Sequence, residues 1–420
     1  MRVNEDDLYR QSTQYKHWSF TPSKLVELRQ KTNAHAAAQV KLHIAQDRSD
    51  RAKTSAAEIS SAPDSGADTP SGNGLGTGAN TPVPNGAGDK GGEVDCLTMD
   101  EEKMVVDKFC ETAMKLGDFL RLQPDVTATA IQFMHRFYLY NSPMTYDGNK
   151  IAKTAFFLAL KLELGTRAGS ASDFASRLPK TSRDDIVAPE YTIIQALRFN
   201  FEVRHPFRGL KAVHLELEDL VRGTYASAPQ NATDPEDART KALAALDVAT
   251  AGEAEIKLGN IYAHAKDILA MAAQLTDAYF LYTPSQILLA AHTLVAPALT
   301  DLYLSTKVDP SSPAYPKIAS TIKSCAELLS SHRSYSPHPA AEKFAWAETD
   351  PPATKRAMKK LKQCKDPFTQ DLVALNAGKK RDVVRDGNLE EGKAKRRKLN
   401  RERAEQESDA FWGPELKMEG

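Results

Sequence analysis

The stretch RFYLYNSPMTYDGNKIAKTAFFLALKL, Arg136 to Leu162, limits what this chain can fold into more than any other part of it. Ahead of it, Val126, Ala130, Phe133, Met134 and Phe137 recur at helical spacing, and Asn141-Ser142-Pro143 and Asp147-Gly148 then break the pattern. Ile151, Ala155, Leu158, Ala159 and Leu162 line one face of a second helix, which Phe156 and Phe157 widen. A helix apolar nearly all round must be covered by other helices, so this one is expected at the centre of a helical bundle. Lys161 is out of place near its end. It is either a lysine that snorkels to water at the negative end of the helix dipole, or a cation held there for a partner.

The same arrangement occurs twice. Met99 to Leu122 is amphipathic, with Met104, Val105, Phe109, Leu116, Phe119 and Leu120 on its core side. Pro124 opens the next helix, the central one follows, and a short helix near Ser170 to Leu178 leads to a fifth at Asp184 to Phe199. A second set comprises Phe207 to Val221, a long helix from Ala254 to Tyr282, SQILLAAHTLV opened by Thr283-Pro284, and helices near Pro297 to Ser305 and Pro313 to His332. In each set the third helix is the most apolar, a weak internal repeat. Residues 223–252 hold Pro, Asn, Asp and Gly around one Ala/Leu-rich turn and read as a partly ordered insertion.

The flanks differ. Tyr9, Tyr15 and Trp18 precede a Thr21-Pro22 helix start, and moderate amphipathicity runs to about residue 46. Residues 48–95 are expected to be disordered, because Ala62 to Gly92 holds 9 Gly and 4 Pro in 31 residues and little apolar surface. Thr69-Pro70 and Thr81-Pro82 within it are candidate phosphorylation sites for proline-directed kinases. Ala353 to Cys364 suits one further helix before a polar tail. The expected organisation is an N-terminal segment and helix at 1–47 docking on the first bundle, the insertion at 48–95, bundles at 97–203 and 206–333, a helix at 351–366, and a disordered basic tail at 367–420.

Charge and cysteine usage exclude several function classes. Formal net charge is +0, but Lys379 to Arg403 carries eleven Lys or Arg against five Asp or Glu, an excess of six positive charges. The basic footprint is thus a tail property, and a folded core that wraps nucleic acid is not expected. Lys393, Lys395, Arg396, Arg397 and Lys398 suit a nuclear-localisation signal or, equally simply, a solvated tail, and Phe411-Trp412 is a candidate docking motif. Cys96, Cys110, Cys325 and Cys364 form no Cys-x-x-Cys pair, so neither a zinc site nor a disulfide framework is expected. There is no apolar leader or membrane-length run, so the reading is a soluble intracellular protein without membrane contact. No P-loop, kinase glycine loop, GxSxG or HExxH occurs, and His135 and His292, in apolar helices, read as buried and hydrogen-bonded. No catalytic, metal or cofactor residues are assigned.

RFYLYNSPM followed by a helix ending in ALKLE closely resembles the first box of the cyclins, within them the cyclin H family. YRQSTQYKHWSFTPSKLVELRQKTN, Tyr9 to Asn33, is similar to the start of that family, and DAYFLYTPSQILLAA to its second box. The resemblance covers roughly residues 9–45 and 97–365. It implies an all-α fold of tandem cyclin boxes, two five-helix bundles with flanking N- and C-terminal helices. It also implies a non-catalytic, nuclear regulatory subunit. That subunit binds and activates the cyclin-dependent kinase of TFIIH, which phosphorylates the RNA polymerase II C-terminal domain and, in some lineages, cell-cycle kinases. A RING-finger assembly subunit and the TFIIH core are the further partners implied, with no direct nucleic acid. In cyclins a lysine late in the third helix and a glutamate in the fifth grip the kinase; the matching positions are Lys161 and Glu190. Phe157, Leu158, Tyr15 and Trp18 are the other expected kinase-binding residues. Pro189 departs from the pattern, because the family often runs an unbroken helix there, and Glu190 alone would be moved by a late start. Thr293 stands where the second box would need its lysine. The alternatives are another transcriptional cyclin of the C or T type, a DNA-binding factor of the TFIIB type, and a helical scaffold with no kinase. The N-terminal segment argues against the first, the missing basic core and zinc ribbon against the second, and only the resemblance against the third.

Overall fold

The fold is taken from a computed structural model that describes residues 9–60, 94–225, 234–339, 342–369 and 371–376. The short helix α1 (Thr13–Trp18) is followed by the long α2 (Pro22–Ser60). The first bundle holds α3 (Met99–Phe119), α4 (Pro124–Tyr138), α5 (Gly148–Leu164), α6 (Ala171–Ser176), α7 (Arg183–Val187) and α8 (Glu190–Ala196). The second holds α9 (Phe207–Arg222), α10 (Pro235–Leu246), α11 (Ala251–Ala270), α12 (Ala272–Leu275), α13 (Ala278–Leu281), α14 (Pro284–Val295), α15 (Pro297–Lys307) and α16 (Tyr315–Ser331). Helix α17 (Pro352–Leu361) returns to pack on α3. Residues 371–376 belong to a separate unit, where the Leu375 N–H closes a turn on the Asp371 carbonyl at 3.0 Å.

Each bundle has its own core. Phe133, Phe137, Ile151, Ala155 and Phe156 fill the first, and Leu217, Leu258, Ile287, Ala291 and Leu329 the second. Both central helices start from side-chain caps: Asp147 accepts the Asn149 N–H, and Thr283 with Gln286 forms a capping box. Gly148 cannot carry a side chain, since a Cβ there would sit 2.1 Å from the Phe109 ring.

Several expectations from the sequence are corrected. Residues 48–60 continue α2, because they contain neither Gly nor Pro and are supported locally by Asp47–Arg51 and Asp50–Lys53 ion pairs at 3.0 and 3.6 Å. Phe119 ends α3 at 67% exposure while its neighbour Leu120 turns inward. The expected fifth helix is split at Pro189 into α7 and α8, and Arg198 and Phe199 stop it in left-handed backbone (φ 53° and 57°). The long 254–282 helix breaks at Met271 and again at the extended Thr276. Within the 223–252 insertion, Pro235–Leu246 form a regular helix, α10, whose Ala238, Ala242 and Leu246 are buried in the second core. The basic tail was expected from 367, yet Thr369 still bonds the Thr145 carbonyl of the first bundle at 3.0 Å. Thr69, Thr81, Lys393, Lys395, Arg396, Arg397, Lys398 and Phe411-Trp412 lie outside the described residues.

The N-terminal segment spans both bundles. The Phe20 N–H donates to the Phe280 carbonyl at 2.8 Å, and Arg29 forks onto both carboxylate oxygens of Asp277 at 2.8 and 2.6 Å. Thr32 donates to the Leu139 carbonyl of the first bundle at 2.7 Å.

Candidate functional site

Lys161 leaves the last turn of α5, where packing on the core ceases. The Gly165 N–H closes the helix on the Lys161 carbonyl, and positive φ (57°) at Gly165 turns the chain away. The Lys161 ammonium pairs with the Glu190 carboxylate and lies 4.6 Å from the centroid of the Phe157 ring. Glu190 is the first residue of α8. Pro189 takes helical backbone angles (φ −78°, ψ −12°) and accepts from the Ile193 N–H at 2.9 Å, so its missing donor falls where none is needed. The proline divides α7 from α8 and still leaves Glu190 facing Lys161.

The pair is accessible, with side-chain exposures of 39% for Lys161 and 20% for Glu190. Beside each stands a large apolar side chain open to solvent: Leu162 at 48% and Tyr191 at 65%. Periodicity placed Leu162 on the buried face. The core ends one turn earlier, so Leu162 is left outside. Spare ammonium donors and carboxylate lone pairs next to two exposed apolar groups suit the docking of a backbone segment with free carbonyls and amides.

The other expected binding residues divide differently. Tyr15 is 39% exposed. Trp18, Phe157 and Leu158 are buried, so in this chain they lie beneath the surface. Trp18 lies with its ring centroid 6.1 Å from that of Tyr140 and 5.0 Å from the Arg136 guanidinium. Helix α1 is held to the linker between bundles: the Thr13 N–H and hydroxyl donate to Glu202, each at 3.2 Å, and the Arg204 N–H donates to Gln14 at 2.6 Å. In the second bundle Thr293 turns its hydroxyl back to the Leu289 carbonyl at 2.7 Å, so α14 offers no counterpart of Lys161.

Models of the cyclin N-terminal domain and the cyclin C-terminal domain match residues 107–202 and 205–330, together more than half of the chain. The chain belongs to the cyclin family. It is 29% identical over 310 residues to Cyclin CCL1 of Saccharomyces cerevisiae, covering 73% of this chain and 62% of that protein. The cyclin chain here thus spans less than two thirds of that relative. Among solved structures it is similar to a chain of the CAK complex from Chaetomium thermophilum bound to ATP-gamma-S, with 27% identity and a TM-score of 0.65. That match covers 92% of this chain and 98% of the other. It is also similar to a chain of the yeast TFIIK (Kin28/Ccl1/Tfb3) complex, with 25% identity, a TM-score of 0.50, and coverage of 76% and 100%. The chain is also 32% identical over 127 residues to a putative cyclin-H of Dictyostelium discoideum, covering 30% of this chain and 43% of that protein.

Proposed function

We propose that this cyclin is the regulatory subunit of a TFIIH-type cyclin-dependent kinase, itself non-catalytic and nuclear, working with a RING-finger assembly subunit and the TFIIH core. The kinase's substrates on this reading are the RNA polymerase II C-terminal repeats and, in some lineages, cell-cycle kinases. The observation that carries the proposal is the partly exposed Lys161–Glu190 pair, whose sequence neighbours Leu162 and Tyr191 are open to solvent, in a chain whose structural neighbours come from the CAK and TFIIK complexes.

The mechanism is a population shift. A kinase transfers phosphate efficiently only when its β3 lysine pairs with the αC glutamate, and a cyclin that binds the αC-in state better raises that population. Moving from 1:99 to 99:1 requires about 5.5 kcal/mol of differential binding. An exposed ion pair contributes about 1 kcal/mol or less, so the charged pair orients the kinase while apolar burial at Leu162 and Tyr191 supplies more of the energy.

Co-expression with the TFIIH-type kinase and the RING-finger subunit, followed by size-exclusion chromatography and an assay on a C-terminal repeat peptide, tests this. A complex more active than the kinase alone is expected. Lys161→Ala or Glu190→Ala should weaken kinase binding roughly tenfold, about 1.4 kcal/mol, with the melting temperature nearly unchanged. Unaltered affinity in both variants, or a collapsed melting curve, would remove the pair from the interface.

A further inference from the structure

Helix α4 carries two stripes. Its apolar side enters the first core. Its other side presents Thr129, Gln132, His135 and Arg136, all buried, at positions that share one face. These polar residues do not face water. Thr129, Gln132 and His135 meet the broken end of the 251–282 segment and the linker residue His205.

The contacts form a continuous series. Gln132 Nε2 donates to Gln274 Oε1 at 3.1 Å, and Gln274 Nε2 donates to the Tyr279 hydroxyl at 2.7 Å. The Tyr279 oxygen lies 3.0 Å from His205 Nδ1, and His205 Nε2 lies 2.8 Å from Thr129 Oγ1. Thr129 donates to Glu163 Oε1 at 2.7 Å. His135 Nε2 adds a further bond from α4 to the Gln274 carbonyl at 2.9 Å.

Donor counting fixes the direction of every link. A carboxylate only accepts, so the one hydroxyl proton of Thr129 goes to Glu163. His205 Nε2 must then donate to Thr129, which leaves Nδ1 of the neutral ring as acceptor for the Tyr279 proton. Tyr279 has a lone pair left for Gln274. A second proton on His205 would leave the Tyr279 hydroxyl without an acceptor. Burial and the positive charge of Arg136 accordingly push the ring's pKa down to about 3.

Apolar packing between two bundles is non-directional and tolerates a range of angles. A series of hydrogen bonds with one allowed polarity does not. Its last member, Glu163, lies two residues beyond Lys161.

We propose that His205 is a positioning residue: the one-way hydrogen-bond series from Gln132 through Gln274, Tyr279, His205 and Thr129 to Glu163 sets the angle between the two cyclin boxes and steadies the end of α5 that carries Lys161. The second half of the statement rests on the reading of Lys161 as a kinase contact; the first does not.

The test has two arms. Nitrogen NMR of the ¹⁵N-histidine-labelled chain should find His205 as the Nε2–H tautomer at pH 7, and still neutral at pH 5. Spin labels on α9 and α3 should give a broader distance distribution in His205→Phe and in Thr129→Val, the latter an isosteric change that removes only the hydroxyl. An Nδ1–H tautomer, a charged ring at pH 6, or an unchanged distribution in Thr129→Val overturns the proposal without reference to any kinase. In the second arm Thr129→Val should weaken kinase affinity about fivefold, and less than twofold when Lys161→Ala is already present. Equal losses in both backgrounds would show that the series does not act through Lys161. If the parent chain binds no kinase, the functional reading fails while the first arm still decides the joint.

Discussion

Replacing Arg29 with alanine is expected to destabilise the protein by about 3 kcal/mol at pH 7, because it strands a buried carboxylate. Asp277 is 15% exposed at its side chain and Arg29 18%, and the guanidinium forks onto both oxygens. Burial alone would raise the Asp277 pKa, but the two bonds from Arg29 and its charge hold it at about 2. The ordinary value is 3.8, so the folded state holds its proton less tightly than the unfolded chain. The pair therefore contributes its full share above pH 4, about 2 kcal/mol by linkage, and loses it as pH falls through 2. In Arg29→Ala the sign reverses. The stranded carboxyl is now raised by burial, so the variant's deficit should shrink as the pH is lowered from 7 toward 4. The double variant Arg29→Met with Asp277→Leu should recover much of the loss, since neither desolvated charge remains. Urea unfolding of the three proteins at pH 7 and pH 4 checks this. A deficit in Arg29→Ala that stays constant across that range would mean that Asp277 is not the group left stranded.

The architecture was largely legible because burial leaves a periodic trace. Phe133, Phe137, Ile151 and Phe156 announce two packed helices, and Thr283-Pro284 with Gln286 announces a cap, whatever the rest of the chain does. Lys161 was legible as an exception to its surroundings, and its pairing with Glu190 required the resemblance, since 29 residues separate them. What could not be read was set by partners distant in the chain. Arg29 and Asp277 are 248 residues apart, and each alone looks like an ordinary exposed charge. Thr129, Gln132 and Arg136 have the spacing of a solvated stripe, and the second box, the linker and Trp18 together turn that stripe inward. Leu162 and Phe119 were misplaced for the converse reason: periodicity continues to the end of a helix, whereas the neighbours that cover it stop sooner. The helical run at 48–60 was hidden by the Gly/Pro-rich sequence that follows, although the run itself contains neither Gly nor Pro.

Arg136→Ala should be the most damaging single change at the joint. Arg136 is 2% exposed, yet it faces carbonyls instead of a paired carboxylate: its guanidinium donates to Asn200 at 3.3 Å and Glu202 at 3.0 Å and packs under Trp18. Burial pushes its pKa down to about 9, so it stays charged at neutral pH and the desolvation is borne by the fold. Truncation removes that cost but leaves two linker carbonyls without donors and a void beneath an indole, together about 3–5 kcal/mol. Arg136→Met should lose less, about 2 kcal/mol, because the stem still fills the space and no charge remains to be buried. Arg136→Lys should fall between them, since one ammonium cannot reproduce a planar fork spanning two carbonyls and an aromatic face. Urea unfolding gives the order, and Trp18 emission, followed with Trp346 and Trp412 changed to Phe, reports whether α1 stays seated. A red shift is expected in Arg136→Ala and little change in Arg136→Met. If Met proves as damaging as Ala, the carbonyl bonds hold α1 in place; if Met matches the parent, packing under Trp18 is what matters and the charge is incidental.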